Sequence, residues 1–324
     1  MPEFTSNVGV AFALSSAAAF ATCLGGLVIF SASLVKMANP KNLSMALALA
    51  GGVMVFVSLV EIFNESVKQF KIAGEDDNGV CSTTCEGNAW VFTNLAFIVG
   101  AIIIYGLDAL VHRLSPELKD EMDVADLSRL ERAVDGRELL STPADNRRGS
   151  LGREGVSPAD KEALVGRERD SMNRTGILTA VALAIHNLPE GIATYTAAVK
   201  DLKVGATLAI GIALHNIPEG IAVATPVYFA TNNRWRAFCW ACASALAEPL
   251  GAILAWIILG KGLNPALEGA MFGLVAGMMV TLSIKELIPS AVKFCPEGNA
   301  VSIAILGGMG IMSLSLILFA YVGI

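Results

Sequence analysis

His186-Asn187-Leu188-Pro189-Glu190-Gly191-Ile192-Ala193 is followed on the next apolar run by His215-Asn216-Ile217-Pro218-Glu219-Gly220-Ile221-Ala222. Each copy lies inside a stretch long enough to cross a bilayer. Each sets a histidine and a carboxylate four residues apart, which in a helix stacks both side chains on one face. Each also carries a proline, which withdraws one backbone hydrogen bond at that depth. Ionisable groups inside a membrane are costly, so an intramembrane His/Glu pair points to function. Two prolines, two acids and two histidines in lipid would be destabilising without a use.

The surrounding composition agrees with a membrane setting. Of 324 residues, 54% are hydrophobic and only 16% charged, against roughly 25% charged in a typical soluble domain. Mean hydropathy is +0.60. The net charge of -6 says little, because charges of both signs crowd into one loop, and nothing suggests a nucleic-acid partner. Met1 to Val10 lacks the basic segment of a secretory signal peptide.

Working outward from the motif, eight apolar runs meet the spanning length of about 20 residues. They fall at 9–35, 44–66, 89–113, 174–199, 203–227, 235–260, 266–290 and 299–323. The expected class is therefore all-α, a polytopic membrane protein with eight transmembrane helices. It divides into helices one to three (1–113), a flexible loop (114–173), the motif-bearing helices four and five (174–227), and helices six to eight (228–324). The loop mixes charges of both signs with Pro, Gly and Ser and cannot bury enough surface to fold alone. Within it, Pro116 to Val134 reads as an amphipathic helix.

Basic residues set the expected orientation. With the N-terminus outside, inner segments hold 17 Lys/Arg and outer segments 5. The bias rests on the long loop, without which the count is five against five. This reading places both termini outside and 114–173 in the cytoplasm. It also faces the polar segment from Lys68 to Asn88 outward, where Cys81 and Cys85 can form a local disulfide.

Further polar residues lie in the apolar runs. Met54, Ser58 and Glu61 share one helix face of the second run. Glu61 reads equally as a pathway acid and as an interfacial one. Glu248, beside Pro249, is an acid deep in the sixth run. Glu286 follows Lys285 near the inner end of the seventh, as a gate, an exit group or an interfacial pair. His112, next to Arg113 at a helix end, reads as interfacial. Cys239 and Cys242 read as buried apolar cysteines of a bundle.

The chemistry of the doubled motif is metal chemistry. At about 100° per residue, His, Asn and Glu of one copy can face one cavity. Two copies on consecutive antiparallel helices can face each other. The prolines free the carbonyls of Ile185 and Leu214, and broken helices at the midplane are where ion transporters place their sites. His186, Glu190, His215 and Glu219 form the combined set, with Asn187, Asn216 and Glu248 adjacent. Imidazole with carboxylate suits zinc and its first-row neighbours, and the lack of thiolate disfavours Cu(I). A zinc hydrolase within the membrane is the rival class. It fits poorly, because a zincin needs His-Glu-x-x-His on one helix, and here each Glu comes four residues after its His.

The paired His-Asn-x-Pro-Glu-Gly helices, the long polar loop before them and Ala247-Glu248-Pro249 resemble the ZIP (Zrt/Irt-like) metal transporters, in particular the bacterial ZupT-type branch. The resemblance implies a 3+2+3 inverted-repeat bundle, often dimeric. It implies a binuclear centre, with one ion on His186, Glu190, His215 and Glu219, joined by Met54. The second ion would sit on Asn187, Asn216 and Glu248, sharing Glu190 and Glu219. Ser58, Glu61 and Glu286 would line the pathway. The family moves zinc and related divalent cations (Fe²⁺, Mn²⁺, Co²⁺, Cd²⁺) into the cytoplasm across, as expected here, the plasma membrane. The metal is substrate rather than cofactor, and the chain is not an enzyme. The loop departs from many relatives in lacking histidine, so zinc sensing by the loop is not expected.

Overall fold

A computed structural model describes residues 3–37, 40–114, 180–181, 183–259, 264–295 and 298–322. The segment 115–179, with the expected helix Pro116 to Val134, lies outside the described residues, as does the His112 side chain. Every long element is helical, because in lipid a helix satisfies its own backbone groups. Among the described residues, seven stretches are long and apolar enough to span a membrane: α1 (Asn7–Phe30), α2 (Lys41–Ala73), α3 (Thr83–Leu107), α5 (Leu202–Thr231), α6 (Arg234–Leu259), α7 (Pro265–Lys293) and α8 (Asn299–Leu318). Between α3 and α5, residues 183–200 form the helix α4. Of the most apolar window in α7, 78% is buried, against 17% in α3 and in α8. The seventh helix is thus central, and the third and eighth offer their apolar faces to lipid.

One residue separates α4 from α5. The Asp201 carboxylate accepts from the Lys203 N–H at 2.9 Å, a side-chain cap at the helix start. This short turn makes α4 and α5 antiparallel neighbours and brings the two motif copies to the same depth. The prolines do not break α5, which runs helical through Pro218 and Pro226. Proline costs the helix one hydrogen bond, and the packed neighbours hold the rest in register. α6 by contrast is interrupted at Leu246, three residues before Pro249, and π-helical turns stand at Val57–Ile62 in α2 and Ser283–Leu287 in α7.

Helix packing follows a reciprocal code. Gly25 of α1 faces the Ile217 carbonyl of α5, and Gly220 of α5 faces the Thr22 carbonyl of α1. In α4 and α6, Gly191 faces the carbonyl of Glu248 and Gly251 that of Leu188. In α2 and α8, Gly52 faces Ile305 and Gly308 faces Leu49; in α3 and α7, Gly100 faces Leu274 and Gly277 faces Phe97. A Cβ at any of these eight glycines would collide with the facing backbone. Small residues allow this closeness between membrane helices. In every helix the glycine stands three residues after the carbonyl its partner's glycine meets.

The numbering of these contacts repeats. Adding 226 to Thr22 and Gly25 of α1 gives Glu248 and Gly251 of α6. Adding 29 to Leu188 and Gly191 of α4 gives Ile217 and Gly220 of α5. Adding 225 to Leu49 and Gly52 of α2 gives Leu274 and Gly277 of α7, and adding 208 to Phe97 and Gly100 of α3 gives Ile305 and Gly308 of α8.

Candidate metal centre

The centre is built where α4 and α5 cross α1 and α6. Glu190, Glu219 and Glu248 are fully buried, and His186 and His215 almost so. One ligand atom each of Glu190, His215 and Glu219 lie within 4.8 Å of one another. His215 Nε2 is 3.0 Å from Glu190 Oε1, and its Nδ1 is 3.1 Å from the Gly211 carbonyl oxygen. With the Nδ1 proton donated to that carbonyl, Nε2 offers a lone pair to the cluster, the arrangement that orients a metal-binding histidine.

Several oxygens around this point make no hydrogen bond. They are both carboxylate oxygens of Glu219, Oε2 of Glu190, Oε1 of Glu248 and the side-chain oxygens of Asn187 and Asn216. Buried acceptors of this kind are costly unless a proton or a cation meets them. The two asparagines are held by their amide nitrogens instead. Asn216 Nδ2 donates to the Ala18 carbonyl and to Glu248 Oε2, each at 3.0 Å. Asn187 Nδ2 donates to the Ser244 carbonyl at 3.1 Å. The oxygens are thereby left free to act as ligands.

His186 is not one of the three residues whose ligand atoms lie within 4.8 Å of one another. Its Nε2 is 3.5 Å from Glu286 Oε2 on the α7 π turn. Met54 is fully buried in α2, and its carbonyl accepts from Ser58 Oγ at 2.7 Å. Glu61 lies on the α2 π turn, with Oε2 buried and without a hydrogen bond. Cys239 is exposed and Cys242 half-buried, both without a disulfide.

A second polar knot ties the bundle at the end that holds the loop from α2 to α3. Lys200 Nζ, at the end of α4, is 3.0 Å from Glu268 Oε2 of α7 and donates to Gln69 Oε1 of α2 at 2.7 Å. Gln69 donates to Glu65, and Ser66 Oγ donates to the Gly269 carbonyl at 2.6 Å. Glu268 is fully buried. This knot was not anticipated from sequence, because its members lie far apart in the chain. In the adjoining loop, Cys81 and Cys85 form a disulfide.

The family model described as ZIP Zinc transporter matches residues 8–316. The chain belongs to the ZIP zinc transporter family. It is a transporter rather than an enzyme, and a multi-pass membrane protein. Among its relatives, the "Zinc transporter ZupT" of Neisseria meningitidis serogroup B (strain ATCC BAA-335 / MC58) is 38% identical over 324 residues, covering 99% of this chain and 100% of the relative. The ZupT of Stenotrophomonas maltophilia (strain K279a) is 37% identical over 316 residues, 97% of each chain. That of Nitratidesulfovibrio vulgaris is 34% identical over 313 residues, 97% of this chain and 98% of the relative. Membership removes the intramembrane hydrolase from consideration.

Proposed function

We propose that this ZIP transporter carries Zn²⁺ and related divalent cations, Fe²⁺, Mn²⁺, Co²⁺ and Cd²⁺ among them, into the cytoplasm of the cell across its plasma membrane. The observation that carries the reading is the buried Glu190–His215–Glu219 cluster, three ligand atoms within 4.8 Å in a membrane interior. Such a site suits borderline divalent cations through imidazole and carboxylate together. The centre is binuclear in this reading. Glu190, His215 and Glu219 hold the first ion, with His186 and Met54 as the further ligands expected of it. Asn187, Asn216 and Glu248 hold the second, with Glu190 and Glu219 shared. The unpaired oxygens of Asn187, Asn216, Glu219 and Glu248 support this assignment. Glu286, against His186, is the exit group, and Ser58 and Glu61 line the pathway.

The same reading makes α4 the eighth span and the whole a 3+2+3 inverted repeat, forming a homodimer. Support for the repeat comes from His-Asn-x-Pro-Glu-Gly in both α4 and α5 and Met-x-x-x-Ser-x-x-Glu in both α2 and α7, with the reciprocal glycine contact of α1 with α5 matched by that of α6 with α4, and that of α2 with α8 by that of α7 with α3. The Cys81–Cys85 disulfide supports an outward loop between α2 and α3, hence an outward N-terminus and a cytoplasmic 114–173.

Uptake of Zn²⁺ into dye-loaded proteoliposomes tests the proposal. Wild type should transport, and Glu190→Ala and Glu219→Ala should lose transport. Equal uptake by all three would refute the site; no uptake of any divalent cation by folded wild type would refute the function.

A further inference from the structure

The two π turns are copies of one device. Met54-Val55-Phe56-Val57-Ser58-Leu59-Val60-Glu61-Ile62 of α2 and Met279-Val280-Thr281-Leu282-Ser283-Ile284-Lys285-Glu286-Leu287 of α7 share Met-x-x-x-Ser-x-x-Glu at the offset of 225. This is the offset of the glycine contacts of the same two helices. Both methionines are fully buried, and both serines bond to them alike. Ser58 Oγ donates to the Met54 carbonyl at 2.7 Å and Ser283 Oγ to the Met279 carbonyl at 2.9 Å. Leu59 and Ile284 are exposed, Glu61 and Glu286 partly buried, Ile62 and Leu287 buried. π turns of this kind concentrate at functional sites.

The copies differ in what their acids do. Glu286 reaches His186, at 3.5 Å. The α4-to-α5 offset of 29 carries His186 onto His215, so the image of Glu286–His186 is Glu61–His215. That second contact is unmade here. Glu61 Oε2 is buried without a hydrogen bond, and His215 Nε2 is engaged by Glu190. The asymmetry has a visible accompaniment. Beyond Glu61 on α2, the Lys200–Glu268–Gln69 knot draws α2, α4 and α7 together.

We propose that Glu61 is the outer-side handover ligand for the divalent cation. It captures the ion with His215 when the outer side opens, as the image of Glu286 with His186 on the inner side. This inference rests on the transport reading above and adds the residue, its partner and its side. A carboxylate and an imidazole converging on one ion are the donors a borderline divalent cation takes. A carboxylate at Glu61 would hold the ion until Glu190 and Glu219 replace it.

The test uses the full chain in proteoliposomes of known orientation, with Zn²⁺ as the probe. Glu61→Gln should raise the external KM for Zn²⁺ by roughly tenfold or more, the scale on which a supporting group alters metal binding. Zinc retained by the central site in detergent should be unchanged. Glu61→Asp should recover most of the affinity, and Glu286→Gln should leave the external KM unaltered while lowering kcat. An external KM equal to wild type in Glu61→Gln would overturn the proposal. So would equal impairment of Glu61→Gln and Glu61→Asp, which would mark a shape effect. If Glu61→Gln does not fold, Glu61→Cys reports instead. External Zn²⁺ should slow its labelling by an impermeant maleimide, and labelling indifferent to Zn²⁺ would overturn the proposal. Wild type that moves no divalent cation would sink the parent reading, an outcome visible before any variant is compared.

Discussion

Gly191→Ala is the sharpest probe of how the centre is held. The added Cβ would sit inside the van der Waals shell of the Glu248 carbonyl oxygen. Both partners are helix backbone, so neither can rotate out of the way, and α4 and α6 must separate by more than about 1 Å to restore contact distance. Overpacking of this kind costs about 1–3 kcal/mol. The separation also moves Glu190, one residue from Gly191, relative to Glu248, whose own carbonyl is the point of contact. A misplacement of about 1 Å can cost about a hundredfold in a site that depends on geometry. Gly310→Ala is the control, because a Cβ there meets nothing within 4 Å. It should gain roughly 0.5–1 kcal/mol from the better helix former. The assay pairs thermal unfolding in detergent with Zn²⁺ uptake in proteoliposomes. Gly191→Ala should melt well below Gly310→Ala and transport at a few per cent of wild type or less. Equal melting and equal uptake for the two variants would refute the claim that backbone contact at Gly191 sets the centre.

Two further outcomes follow from groups outside the centre. Lys200→Ala leaves Glu268 buried beside no cation and should destabilise the protein by about 3–5 kcal/mol; the double variant with Glu268→Ala should recover part of that loss in the same melting assay, and simple additivity would show the ion pair to be energetically idle. Cys239→Ser with Cys242→Ser should keep wild-type zinc uptake, since neither thiol belongs to the centre, and a dead double variant would assign them a role.

The doubled motif carried much of the architecture because its physics is local. Spacing of four residues and a one-residue turn at Asp201 suffice to put Glu190, His215 and Glu219 on facing helices. What spacing cannot supply is a partner from a distant helix. Glu286 stood out in the sequence as an acid near the end of an apolar run, yet nothing there said that His186 would be the histidine it meets. Lys200 and Glu268 drew no notice for the same reason. Proline was a true signal in α6, interrupted at Leu246 just before Pro249, and a false one in α5. It is a visible helix breaker, but α5 continues through Pro218. The π turn at Val57–Ile62 arises from a residue extra to the helical turn and leaves no compositional mark. The reciprocal glycines were legible only as small residues, since a glycine does not announce the carbonyl it will face.

The burial of Glu190, Glu219 and Glu248 has an electrical consequence. Ionised, beside neutral histidines, the three carboxylates carry three negative charges. One divalent cation leaves the centre with a single negative charge, and two leave it with a single positive one. Each elementary charge that crosses the full membrane field exchanges about 2.3 kcal/mol per 100 mV. In a carrier whose centre moves through the field with its cargo, an inside-negative potential therefore resists the inward movement of a singly loaded centre and assists that of a doubly loaded one. Voltage would act on this transporter as a counter of ions, rewarding the second cation.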